Sequence, residues 1–291
     1  MTKIAESEFI LNSRGAVYHL NLRPEELAGT VITVGDPDRV QQVSRYFDKV
    51  EGIYQHREFV THTGYIGKKR ISVVSTGIGT DNIDIVLNEL DALANIDFNT
   101  RKIKEDLTRL QIIRLGTSGA LQGDIPVDGF VVSSFGLGLD NLLPWYIFEN
   151  TAAEQSLLQA FRQQVQLNAG SANPYLVAAA DNLLSRFGEG FHRGITVTCP
   201  GFYAPQGRAL RGGLSHPALL EQLTGFEHDT HRITNFEMET AGIYGLGRVL
   251  DHDCLSISTI VANRIKQAFS KDGAVAVQQM IERSLAVIAS L

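Results

Sequence analysis

The sequence predicts an α/β fold. Three observations carry that prediction: short apolar runs rich in β-branched residues recur along the chain, segments of helical period separate them, and several runs end in glycine-containing turns. The runs are residues 30–34, 71–75, 111–115, 130–134, 195–199 and 255–262. Most are continuous rather than alternating, the pattern of strands buried on both faces. Between them, Ile83, Val86, Leu87, Leu90, Leu93 and Ala94 form one helical stripe, and Leu157, Leu158, Phe161 and Val165 form a second. Residues 275–291 form a third. No internal repeat and no linker rich in Pro, Gly or Ser interrupts the 291 residues. One domain over 1–291 is therefore expected, with 1–16 as an N-terminal extension and the polar stretch 99–108 as a solvated loop or a helix extension.

Charge narrows the class. With 26 basic and 32 acidic residues the formal charge is −6, the wrong balance for a protein that wraps nucleic acid or an anionic membrane. Any anion site must be local. Cys199 and Cys254 have no metal-ligand spacing and are expected to be free, buried thiols. No run approaches 18 apolar residues, and residues 1–12 lack a long apolar stretch, so a cytoplasmic protein without a membrane partner is expected.

The strand ends carry the chemistry. Gly35-Asp36-Pro37-Asp38-Arg39 follows the first run, Gly77-Ile78-Gly79 the second, and Gly116-Thr117-Ser118-Gly119 follows Arg114 in the third. Ligands of open α/β sheets bind where such loops converge. Asp36 and Pro37 suit the cap and first position of a helix. Arg39 falls in that helix's first turn, where the dipole opposes a cation unless an anion is present; the motif suits an anion site or a plain helix start equally. Arg114, ending an apolar run, demands an anionic partner, either a ligand held with donors such as Thr117 or an internal carboxylate.

Other motifs exclude chemistry. Gly77-Ile78-Gly79-Thr80-Asp81-Asn82 lacks the third glycine of a dinucleotide fingerprint, which argues against a nicotinamide or flavin cofactor. The glycines around Ser118 lack the spacing of a nucleophile elbow. His228 and His231 lie in a polar segment that suits a solvated loop better than a metal site. Glu237 and Glu239 precede an Ala/Gly-rich helix; two apart, they do not share a helical face, so at most one is expected to point into a given site. A carboxylate beside Met238 suits a sugar, and two solvated glutamates fit these residues equally. Phe202, Gln206 and Arg208 suit the stacking and edge recognition of a flat heterocycle, or an ordinary loop.

In order along the chain, Tyr18-His19-Leu20, Gly35 to Arg39, His56-Arg57-Glu58-Phe59, residues 75–79, 114–122, 202–208, 235–239 and Asn263-Arg264 resemble the uridine phosphorylase branch of the nucleoside phosphorylase family. The resemblance implies a three-layer sandwich with a central mixed sheet flanked by helices. It also implies homodimers, commonly assembled into a hexamer, in which each site is completed by the neighbouring subunit. The implied reaction is phosphorolysis of a pyrimidine nucleoside to free base and ribose 1-phosphate, with inorganic phosphate as co-substrate and no organic cofactor. By position, Gly35, Arg39, Arg114 and Thr117 would hold phosphate, with Arg57 entering from the neighbour. Met238 and Glu239 would hold the ribose 2′- and 3′-hydroxyls, and the neighbour's His19 the 5′-hydroxyl. Phe202, Gln206 and Arg208 would hold the base, with Arg264 supporting Arg208. Glu58 and Ile78 resemble residues that place a monovalent cation such as potassium at the dimer interface, although this chain has Asn82 where a serine is usual. A purine phosphorylase, a hydrolytic nucleosidase and a silent nucleoside-binding protein are the alternative readings. The purine reading is weakened by Asn263, since bacterial purine enzymes of the family place an aspartate after that strand.

Overall fold

The first apolar run becomes β1 (Thr30–Val34), buried at all five positions. Asp36 then caps α1 (Pro37–Ser44) by accepting from the Asp38 amide, with Pro37 at the first helical position. The computed structural model describes residues 2–168, 170–171 and 173–291. The next elements are β2 (Lys49–His56), β3 (Phe59–Ile66), β4 (Lys69–Ser75), α2 (Thr80–Asn95), β5 (Ile96–Asp97), β6 (Lys102–Ile103), β7 (Gln111–Ala120) and β8 (Phe130–Gly138). They are followed by α3 (Ala152–Gln164), β9 (Tyr175–Ala178), α4 (Asp181–Leu184), β10 (His192–Thr198), α5 (Leu219–Gly225), β11 (Glu227–His228) and β12 (His231–Glu237). The chain closes with α6 (Thr240–Val249), β13 (Asp253–Asn263), β14 (Ala268–Phe269) and α7 (Gly273–Ile288).

One 12-stranded mixed sheet organises the fold: ten strands run in the order β11-β12-β10-β8-β13-β7-β1-β4-β3-β2, with β9 paired to β8 and β14 to β13 off this path. β1 runs parallel to β4 and β7, and β7 parallel to β13, whereas β13 meets β8 antiparallel. The sheet also closes on itself, because β12 pairs antiparallel with the far end of β7 through Asn235–Ala120 and Phe236–Gly119. The larger core joins β1, β4, β7 and β13 to α2, α6 and α7, while a second lies between β8, β10 and β12 and helices α3 and α5. Cys199 and Cys254 are buried free thiols, as expected.

One expectation is corrected and three segments take a more definite form. Residues 116–119 do not turn; β7 runs straight through them to Ala120, and the two glycines give room to side chains rather than to a bend of the chain. At Gly119 an added β-carbon would stand 3.1 Å from the Phe236 ring. Residues 99–108 are mostly the solvated loop expected, not a helix extension, and within them β6 pairs back onto β5 as a small hairpin. The His228–His231 segment is the turn of the β11–β12 hairpin, and no group of three metal-ligating side chains occurs among the described residues. The N-terminal extension is fastened to the β5–β6 hairpin, with the Ile4 amide donating to the Arg101 carbonyl and Phe9 buried edge-on to Phe98. Among the described residues no helix is long and apolar enough to cross a membrane.

Candidate active site

The loops after β1 and β4 abut: an added β-carbon on Gly35 would lie 3.5 Å from the Gly77 carbonyl. Beside them Arg114 projects from the middle of β7, buried, its guanidinium folded back over Gly116. Residues two apart share a strand face, so only glycine at 116 leaves space for it. Its Nη2 lies 2.5 Å from Glu239 and 3.1 Å from Glu237, and Nη1 reaches the Ser258 hydroxyl at 3.5 Å. Burial works against the charge on Arg114, but the two glutamates more than offset it and its pKa is raised.

The expectation that only one glutamate faces the site is therefore wrong. Glu237 ends β12 and Glu239 is the residue before α6, so neither obeys helical spacing, and the closure of β12 onto β7 carries both to Arg114. Glu237 is fully engaged: it accepts from the Thr198 hydroxyl and from the amides of Glu239 and Thr240 at the start of α6. Burial pushes its pKa up, against the pull of Arg114. Glu239 accepts from the Gly79 amide at 2.8 Å as well as from Arg114, which leaves lone pairs on a carboxylate at the edge of the cluster. Met238 stands between them, partly exposed.

Arg39 lies in the first turn of α1, partly buried. Among the described residues it has no salt-bridge partner, since both glutamates close on Arg114. Burial and then the charge of Arg114 depress its pKa, opposed only in part by Asp36. Thr117, partly buried, lies in register with Thr259 on β13. The internal carboxylate partner thus applies to Arg114, whereas Arg39 is a cation in need of an anion.

Phe202, Gln206 and Arg208, expected to meet a base, gather on one loop. Gln206 is buried; the Arg208 guanidinium donates to its carboxamide oxygen at 2.6 Å and to the Phe202 carbonyl at 2.7 Å. Arg208 lies 3.9 Å above the Phe202 ring, so the face expected to stack on a base is covered by the guanidinium. Among the described residues no hydrogen bond joins Arg264 to Arg208. Arg264 donates to the carbonyls of Gln206 and Gly207, bracing the loop, and the two cations flank Phe236 at 5.5 and 5.6 Å. Burial first, and then the charge of Arg264, lower the Arg208 pKa.

His19 and Arg57 stand apart from this cluster. Arg57 is exposed at the β2–β3 turn, its backbone in the left-handed region at φ 54° and its guanidinium 5.9 Å from the Tyr18 ring. His19 is tethered to Glu89 of α2. Among the described residues no hydrogen bond or salt bridge joins either to Arg39, Arg114 or Glu239. Glu58 and Ile78 are both exposed, and Glu58 flanks Gly77, which is also packed by the Asn82 carboxamide.

Residues 30–289 match the phosphorylase superfamily. The chain belongs to that superfamily. This phosphorylase-superfamily chain is 30% identical over 288 residues to a uridine phosphorylase of Thermococcus kodakarensis, covering 99% of this chain and 89% of the relative. A solved nucleoside phosphorylase of Trypanosoma brucei, described as showing uridine phosphorylase activity, superposes with a TM-score of 0.90 at 28% identity, over 97% of this chain and all of that one. A DeoD-type purine nucleoside phosphorylase of Hahella chejuensis is 25% identical over 84% of the chain and 86% of its own length. Sequence reasoning left Glu237, Glu89, Thr198 and Ser258 without a site role. Of these only Glu237 carried a local signal, as half of a carboxylate pair.

Proposed function

We propose that this chain cleaves the N-glycosidic bond of uridine with inorganic phosphate, giving uracil and ribose 1-phosphate. The observation that carries the reading is the pairing of guanidiniums from the middle of β7 and the first turn of α1: Glu237 and Glu239 satisfy Arg114, and among the described residues Arg39 makes no salt bridge. A phosphate dianion placed there accepts from Arg39, from the free edge of Arg114, from the Gly35 amide and from Thr117. Glu239 takes the vicinal ribose hydroxyls, with Met238 against the sugar, and the two sites together set phosphate under C1′. Holding both reactants in this way removes much of the entropic barrier to displacement.

At the other end of the nucleoside, Gln206 and Arg208 pair with the edge of uracil, and Arg208 and Arg264 stabilise the negative charge that grows on the base as the bond breaks. Base entry requires Arg208 to leave the face of Phe202. The purine alternative needs an acid after β13. Asn263 stands there, and its carboxamide is used up: it donates to the Gln122 and Ile125 carbonyls and accepts from the Ile265 and Lys266 amides. A hydrolytic nucleosidase would have no use for an unpaired Arg39.

In this reading Arg57 and His19 serve the site of a second copy. The exposed edge strand β2, with Val50 and Ile53 outward, supports such a contact, because an apolar edge is rarely left bare. A monovalent cation at Glu58 and Ile78 would need that second copy too: hard cations gather about six or more oxygens, which one chain does not offer there. No step of the reaction uses it. The test is phosphate dependence. Uridine should disappear only when phosphate is present, with ribose 1-phosphate as the sugar product; release of free ribose at the same rate in phosphate-free buffer would overturn the reading.

A further inference from the structure

Glu89, in the middle of α2, collects three N–H groups from one short segment. Its Oε1 accepts from the His19 amide at 2.9 Å and faces His19 Nδ1 at 2.7 Å, and its Oε2 accepts from the Leu20 amide at 2.7 Å. The segment is fixed on its other sides by buried Val17, Leu20 and Leu22, by the ring edge of Phe59, and by His56 Nδ1 at 3.2 Å from the His19 carbonyl. A carboxylate that already receives two amides is an acceptor only. The hydrogen of the neutral imidazole must therefore sit on Nδ1, which leaves Nε2 of the partly exposed side chain as a lone-pair acceptor. The residue before this helix is Gly79, whose amide holds Glu239, so one rigid element references a sugar-reading group for its own site and one for the neighbouring site.

We propose that Glu89 is a positioning residue that fixes His19 as its Nδ1–H tautomer, so that Nε2 accepts from the ribose 5′-hydroxyl and the enzyme selects nucleosides carrying a hydrogen-bond donor at that position. The proposal rests on the reading that His19 meets the 5′-hydroxyl. Glutamine at 89 would place an amide N–H against one of the three donors and release the tautomer.

The experiment compares kcat/KM for uridine and 5′-deoxyuridine in the full chain, in Glu89→Gln, in His19→Ala and in the double variant. The natural chain should favour uridine by ~10-fold, the value of one hydrogen bond. Each single variant should bring that ratio to within about twofold, and the double variant should lose no further discrimination, as coupled residues require. An equal loss on both substrates in Glu89→Gln, or retained discrimination in either single variant, would overturn the proposal. A second measurement needs no altered enzyme for its readout: ¹⁵N shifts of labelled histidine, with the His19 signal identified by its loss in His19→Asn, should report the Nδ1–H tautomer, and an Nε2–H tautomer would refute the role of Glu89. If phosphate-dependent cleavage of uridine is absent from the natural chain, the functional reading itself has failed; if it persists without 5′-selectivity, only this proposal has.

Discussion

An alanine β-carbon at 116 would stand 1.8 Å from Nη1 of Arg114, and the guanidinium cannot yield freely because Glu237 and Glu239 hold its other side. Gly116→Ala should therefore leave the fold in place and displace the arginine, lowering kcat/KM at least about 100-fold, the scale of losing one preorganised donor. Gly123→Ala, where nothing lies within 4 Å of the added carbon, is the control and should be near neutral. Equal activity in the two variants would show that the Arg114 placement does not matter. Cys199 and Cys254 permit a second test at this scale. Burial drives both thiols well above their ordinary pKa, Cys199 further so beside Glu237, so neither forms thiolate at neutral pH. Iodoacetamide should label neither in the native protein and both in urea, read by intact mass; rapid native labelling of Cys199 would show that the end of β10 is open to solvent.

Among the elements, the N-terminal segment and the β5–β6 hairpin act as a clasp closed by Arg101, which donates to the carbonyls of Ile4, Ala5 and Phe9 and lies over the Phe9 ring. Arg101→Ala should open this clasp locally, speeding chymotryptic cleavage at Phe9 by on the order of 10-fold with little change in Tm, since a local opening costs far less than global unfolding. Unchanged cleavage would mean that Phe9 and Phe98 hold the segment alone. The clasp was not legible in the sequence, because two-residue strands carry no period and contacts between residues 4 and 101 are not local. The β2–β3 hairpin escaped notice for a related reason: β2 is a mostly exposed edge with no apolar run. By contrast β1, α2, α7 and the Asp36 cap followed from short-range signals that tertiary packing did not override. Glycines 116 and 119 misled, since the same residue that permits a turn also makes room for a neighbouring side chain. Individual site residues could be named from motifs, but the meeting of Glu237 and Glu239 at Arg114 depends on Asn235 pairing with Ala120, more than a hundred residues away.

For the whole molecule the question is whether one chain makes a complete site. Arg39, Arg114, Glu239 and Gln206 lie within one chain, each buried or partly buried, while exposed Arg57 and partly buried His19 sit with Tyr18 beside the uncovered edge strand β2. Surface residues of no consequence should cost almost nothing when removed. If instead the patch completes the site of a second copy, Arg57→Ala and Glu239→Ala should each be inactive alone, for different reasons and in different chains. Mixed at equal amounts and allowed to exchange subunits, half of the dimers would pair one chain of each kind. In such a dimer one site keeps Glu239 from its own chain and Arg57 from the other, while the second site has lost both. Activity should then rise towards about a quarter of the natural level, the fraction of intact sites that two-fold symmetry allows. A site built from one chain predicts no recovery at any mixing ratio, so exchange proven by mass tags without return of activity would confine the whole reaction to single chains.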